Sequence, residues 1–153
     1  MSAGYCVIEN FFTPEQCEHF LSMIQQYRHN HVVPEIHRVE KERSLHYSVI
    51  NGEEIEQYLP EVQQLYVDEI NKQANQLTNQ QLTPLRNKKV GVNINITATG
   101  GSYRWHYDRN AVTCILYLNT VQGGETEIFP KYRILLKKKD SRSQQLLDQM
   151  VRL

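Results

Sequence analysis

Val90-Gly91-Val92-Asn93-Ile94-Asn95-Ile96-Thr97 alternates apolar residues with small or polar ones, position by position. A two-residue period is the mark of a strand with one face buried and the other wet. Gly100-Gly101 punctuates the run. Three further strand-like stretches follow: Tyr103 to Asp108, Val112 to Leu118, and Glu125 to Phe129, the last set between Gly123-Gly124 and Pro130. Residues 90–130 therefore read as the strand-forming part of the chain.

Towards the start of the chain the period lengthens. Tyr5 to Ile8 reads as a short strand. Thr13, Pro14 and Gln16 form a helix-start signature, with Thr13 as the cap, Pro14 in the first turn and Gln16 completing a capping box. Phe12 and Cys17 are placed to staple that start. Cys17, Phe20, Leu21, Ile24 and Tyr27 then recur at helical spacing, and the helix is expected to end between His29 and His31. Ser44 to Ile50 predicts a strand closed by an Asn51-Gly52 turn. A second helix is expected from Pro60, with Val62, Leu65, Tyr66, Ile70 and Leu77 on its buried face. The Asn- and Gln-rich stretch from Asn71 to Gln81 reads as a solvated helix end and loop.

Beyond residue 130, Lys137 to Lys139 with Arg133 and Arg142 read as a solvated basic linker. Asp140 is placed to cap a terminal helix carrying Leu146, Leu147, Met150 and Val151. Residues 1–153 are thus read as one domain, with a strand and supporting helices over 4–89, strands over 90–130, and a basic linker with an amphipathic helix over 131–153. Helices followed by a run of strands favour an α+β domain in which helices support a sheet sandwich.

Composition narrows the function classes. Seventeen basic and seventeen acidic residues give zero formal net charge. No basic stripe marks a nucleic-acid or anionic-membrane surface. The three cysteines, Cys6, Cys17 and Cys114, are odd in number and far apart, which argues against a disulfide framework and a zinc knuckle. The opening residues lack a signal peptide's basic and apolar regions. No apolar stretch approaches the roughly 20 residues that span a bilayer. A cytoplasmic location is the expectation from these features.

His106 and Asp108 lie two apart in an expected strand, so their side chains should share a face. An imidazole and a carboxylate together suit iron(II), with a third ligand completing a facial set. The spacing alone also fits an ordinary polar strand face or a His–carboxylate hydrogen bond. The irregular spacing of His29, His31, His37 and His46 argues against a second metal site.

Around this pair the sequence resembles the prolyl-4-hydroxylase-like branch of the iron(II)/2-oxoglutarate dioxygenase superfamily. Tyr103-Arg104-Trp105-His106-Tyr107-Asp108 is similar to the family's proximal metal motif. Val112-Thr113-Cys114-Ile115-Leu116-Tyr117-Leu118-Asn119 resembles the strand after it, and Gly123-Gly124-Glu125-Thr126-Glu127-Ile128-Phe129-Pro130 resembles its Gly-Gly segment. Gly4 to Glu18 resembles the family's first strand and supporting helix.

The resemblance implies a double-stranded β-helix (a jelly-roll, cupin-like core) with N-terminal supporting helices. It implies His106 and Asp108 as iron(II) ligands, Tyr117 on the distal carboxylate of 2-oxoglutarate, and Tyr103 near the co-substrate pocket. Core packing is the alternative role for both tyrosines. Val92 and Ile96 fit either pocket wall or core. The implied reaction uses dioxygen to hydroxylate a peptide prolyl residue or a small amino-acid-like metabolite, yielding succinate and carbon dioxide.

The sequence departs from this pattern in one respect. His106 is its last histidine, so the family's distal histidine and following basic residue have no counterpart. Arg133, Arg142 and Arg152 do not fit the latter role. The expectation is a jelly roll incomplete in this chain, completed by further strands or a partner subunit. Its alternative is an inactive oxygenase-like binding or assembly module.

Overall fold

Thr13 caps the first helix as its sequence predicts. A computed structural model of the chain describes residues 4–40, 43–101, 108 and 110–128. Helix α1 spans Pro14–Asn30, with the Thr13 hydroxyl accepting from the Gln16 amide at 3.3 Å and the Gln16 side chain accepting from the Thr13 amide at 2.9 Å. Phe12 packs its ring on Phe20, with centroids 5.2 Å apart, one turn beyond the expected partner Cys17. The apolar stripe grades inward along the helix, from half-buried Cys17, Phe20 and Leu21 to buried Ile24 and Tyr27.

Strand β1 (Glu35–Glu40) pairs antiparallel with β2 (Arg43–Ile50). The Asn51-Gly52 pair that follows is a helix start rather than a turn. Helix α2 spans Gly52–Tyr58, and the Asn51 side chain accepts from the Glu53 and Glu54 amides while the Glu54 carboxylate accepts from the Asn51 amide. Gly52 is required by close approach, since a Cβ there would lie 1.9 Å from the Lys88 carbonyl oxygen.

Helix α3 (Pro60–Gln64) leads without a break into a π-helical segment (Leu65–Ile70) and then α4 (Asn71–Thr78). The expected helix is therefore present, and it runs to Thr78, one residue past the expected Leu77. It ends at Asn79, whose left-handed backbone (φ 52°) suits asparagine. A short helical turn, α5 (Lys88–Gly91), precedes β3 (Ile94–Thr97), which pairs antiparallel with β2.

The sheet has the order β1-β2-β3 and is open. Ile50 stands opposite Ile94, and Ser48 opposite Ile96. On this face Ile50 joins Ile24, Tyr27, Ile55 and Leu59 in one core, with Val62, Val92, Ile94 and Ile96 packed against it. Ile50 and Ile55 are completely buried, and sealing each stabilises the fold by about 1.5–3 kcal/mol.

Two compact units divide the chain, one Phe12–Asn119 and the other formed from Met1–Phe11 with Thr120–Leu153. All the elements above belong to the first. In the second, the described residues are 4–11 and 120–128. Gly123 (φ 79°) turns the chain there, and the Gly124 amide donates to the Val121 carbonyl at 3.4 Å.

The jelly-roll expectation is corrected by this sheet. Three antiparallel strands that do not close replace a double-stranded β-helix among the described residues. The strand expected over 90–97 is confined to 94–97, because 88–91 folds into a turn against α2. Lys88 pairs there with Glu56 at 2.7 Å, while Gly91 lies against the Tyr66 ring. Such contacts override a local alternation. Residues 5–8, 112–118 and 125–128 form no strand among the described residues. The expected strand at Tyr103 to Asp108 lies, apart from Asp108, outside them, as do the basic linker and terminal helix. No helix among the described residues is long and apolar enough to cross a membrane.

Candidate functional site

α1 and α2 both finish beside one cleft. Met23, Gln26, Tyr27, Asn30 and His31 line it from one side, and Tyr58 and Leu59 from the other, around about 230 Å³. The α1 residues recur at intervals of three and four, so helical geometry alone places them along one face. Asn30 and Tyr58 are the last residues of their helices, and His31 and Leu59 are the caps that follow.

Three rings build the wall. Tyr27 and His31 stack with centroids 4.4 Å apart and planes 10° apart. Tyr58 tilts against both, at 5.8 Å from Tyr27 and 4.4 Å from His31. Their exposures differ: Tyr27 is buried, at 4% exposed, whereas Tyr58 keeps 45% of its surface open.

A hydrogen bond fixes the orientation of the His31 ring. His31 Nδ1 lies 3.1 Å from the Tyr27 carbonyl oxygen. That oxygen can only accept, so Nδ1 carries the proton, and in the neutral ring Nε2 is left as an acceptor. The Tyr27 phenol is pushed up to about 12, first by burial and then by the nearby Glu54 carboxylate. It remains a neutral donor at physiological pH. Glu54 is itself held by Asn51, whose Nδ2 donates to it at 2.9 Å.

Among the described residues, no position implied by the dioxygenase resemblance lines this cleft. His106 and Tyr103 fall outside the described residues. Asp108 is half-buried, and Tyr117 is 59% exposed. Val92 and Ile96 pack against the core. Among the described residues, no group of three or more His, Cys, Asp or Glu side chains is arranged to hold a metal ion. The nearest approach is on the β1–β2 hairpin, where His37 faces His46 with ring centroids 5.0 Å apart and Glu35 lies 3.5 Å from His46.

No family model matches the chain, and neither a curated protein nor a solved structure shows significant similarity to it. The resemblance to prolyl-4-hydroxylase-like dioxygenases is therefore corrected. The open sheet provides no jelly-roll core, and the described side chains provide no metal cluster. The hydroxylase activity, and with it iron(II), 2-oxoglutarate and dioxygen as cofactor and co-substrates, is withdrawn.

Sequence reasoning placed Tyr27 on a core stripe, gave His31 no role and passed over Tyr58. Two signals were there to be read. Tyr27 and His31 stand four apart at a helix end. Asn51 and Glu54 have the spacing of a capping box, which starts a helix that carries Ile55, Tyr58 and Leu59 inward.

Proposed function

We propose that the chain is a binding module that holds one side chain of a peptide partner in the cleft between the ends of α1 and α2. The observation that carries this reading is the size and lining of the cleft. At about 230 Å³ it falls below the roughly 300–1,000 Å³ of sites that enclose a whole small ligand. It suits a single protruding group whose parent molecule stays outside. Ring faces offer that group apolar area at little entropic cost, and the amides of Gln26 and Asn30 can bond the peptide backbone beside it. Aromatic-lined grooves flanked by hydrogen-bonding side chains are a recurring means of gripping extended peptides. The balanced charge of the chain fits a peptide partner better than a nucleic acid.

Titration of ¹⁵N-labelled protein with short blocked peptides tests the reading. Amide shifts should move in one cluster, over Met23 to His31 and at Tyr58 and Leu59. Shifts scattered over the surface, or none at millimolar peptide, would remove it.

A further inference from the structure

We infer that the side chain selected by the cleft is the guanidinium of an arginine in the partner peptide. The inference rests on the cleft being a site for one side chain and adds the charge of that side chain. Three observations converge on a cation.

The first is that α1 presents its C-terminal end to the cleft. Asn30 and His31 close α1, and Tyr58 and Leu59 close α2. A helix C-terminus carries partial negative charge on its unbonded carbonyls, which favours a nearby cation. The α2 end adds little, because Leu59 also starts α3 and its carbonyl accepts from the Val62 and Gln63 amides. α1 has Arg28 and His29 in its last turn, but both are exposed and neither lines the cleft.

The second is the open ring of Tyr58. Aromatic faces are electron-rich and attract cations, guanidinium groups especially. Tyr58 is the one ring of the three classed as exposed, so it offers a face on which a guanidinium can stack.

The third is the supply of acceptors. The Gln26 and Asn30 side-chain oxygens and, in the neutral ring, His31 Nε2 can each accept a hydrogen bond. A guanidinium brings five N–H donors in a plane and no acceptor. An ammonium is a compact, strongly hydrated charge with no plane to stack, so the same lining favours arginine over lysine.

The experiment compares three blocked tripeptides on the full chain by the same NMR titration: Gly-Arg-Gly, its citrulline analogue and Gly-Leu-Gly. Citrulline matches arginine in length and shape but carries no charge. The arginine peptide should bind at least about two- to fivefold tighter than the citrulline peptide, the share expected from one exposed ring face. Tyr58→Leu should abolish that preference, and Tyr58→Phe should keep it. Equal affinity for arginine and citrulline, or tighter binding of leucine, with shifts still confined to the cleft would overturn the cation and leave the cleft reading standing. An arginine preference that survives Tyr58→Leu would overturn the assigned stacking. No response to any of the three peptides would sink both readings together.

Discussion

Ile55 and Ile115 are the same residue in opposite settings. Ile55 stands among Glu53, Glu54 and Glu56 in one of the most acidic stretches of the chain, yet it is completely buried. Ile115 stands in Val112-Thr113-Cys114-Ile115-Leu116-Tyr117-Leu118, among the most apolar stretches, yet it is 58% exposed. Local hydrophobicity thus points the wrong way for both. Ile55 is buried because the Asn51 cap starts a helix whose inward face meets Ile24, Ile50 and Leu59. A strand-like run lacks an equivalent device until a neighbouring strand pairs with it, because strand preference reports fit to a paired, half-buried surface.

Truncating the two isoleucines gives the largest contrast. Ile55→Ala should cost about 2–5 kcal/mol in urea unfolding, the usual range for emptying a sealed core position. Ile115→Ala should stay within about 0.5 kcal/mol of wild type. Similar losses at both sites would break the comparison.

Gly52→Ala tests whether α2 is anchored as tightly as the position of Ile55 requires. The added methyl meets the backbone carbonyl of Lys88 rather than a side chain that can swing away. A loss of about 1–3 kcal/mol is expected, as for other overpacked sites. A variant as stable as the parent would mean that α2 and α5 are not held at the separation described.

The smallest effect sharpens the contrast most. Asn51→Ala and Thr13→Ala remove the two capping boxes and should each cost about 1 kcal/mol. Only Asn51→Ala should also disturb the cleft, because Asn51 holds the Glu54 carboxylate whose charge acts on the Tyr27 phenol. Amide shifts at Tyr27 and Tyr58 that stay fixed in Asn51→Ala, with unfolding earlier by the same amount as in Thr13→Ala, would count against that link.

α1 and the helix from Pro60 were the legible helices of this sequence. Thr13, Pro14 and Gln16 state the start of α1 within four residues, and its stripe is read from the same turns that form it. β2 was legible for a similar reason, since Ser44 to Ile50 is short and bounded. The strands after residue 90 were not, because alternation gives the character of a strand without naming its partner. Val90 and Val92 match the alternation as well as Ile94 and Ile96 do, yet Val90 sits in a helical turn decided by Gly52, Glu56 and Tyr66. Motif likeness at Tyr103 to Pro130 carried the jelly-roll expectation, and likeness of short segments does not fix how a sheet closes. The cleft was hidden for another reason. Tyr58 reaches it through a helix whose cap was mistaken for a turn, and no periodicity reports that two helix ends will meet.

The π-helical segment at Leu65–Ile70 has a consequence for insertions and deletions. Its wider turn lags an α-helix by about one residue, or roughly 100° of rotation. The single stripe of Val62, Leu65, Tyr66, Ile70 and Leu77 is therefore dealt onto two directions, with Ala74 turned inward and Leu77 left 40% exposed. The segment works as a phase joint between the turns before and after it. Removing one residue within it would let the helix close up into ordinary α geometry while everything from Asn71 onward keeps its direction. The same deletion in a regular turn has no such slack and breaks the helix's alignment outright. Length in this helix can thus be given up without loss of direction at one place, the six residues Leu65–Ile70.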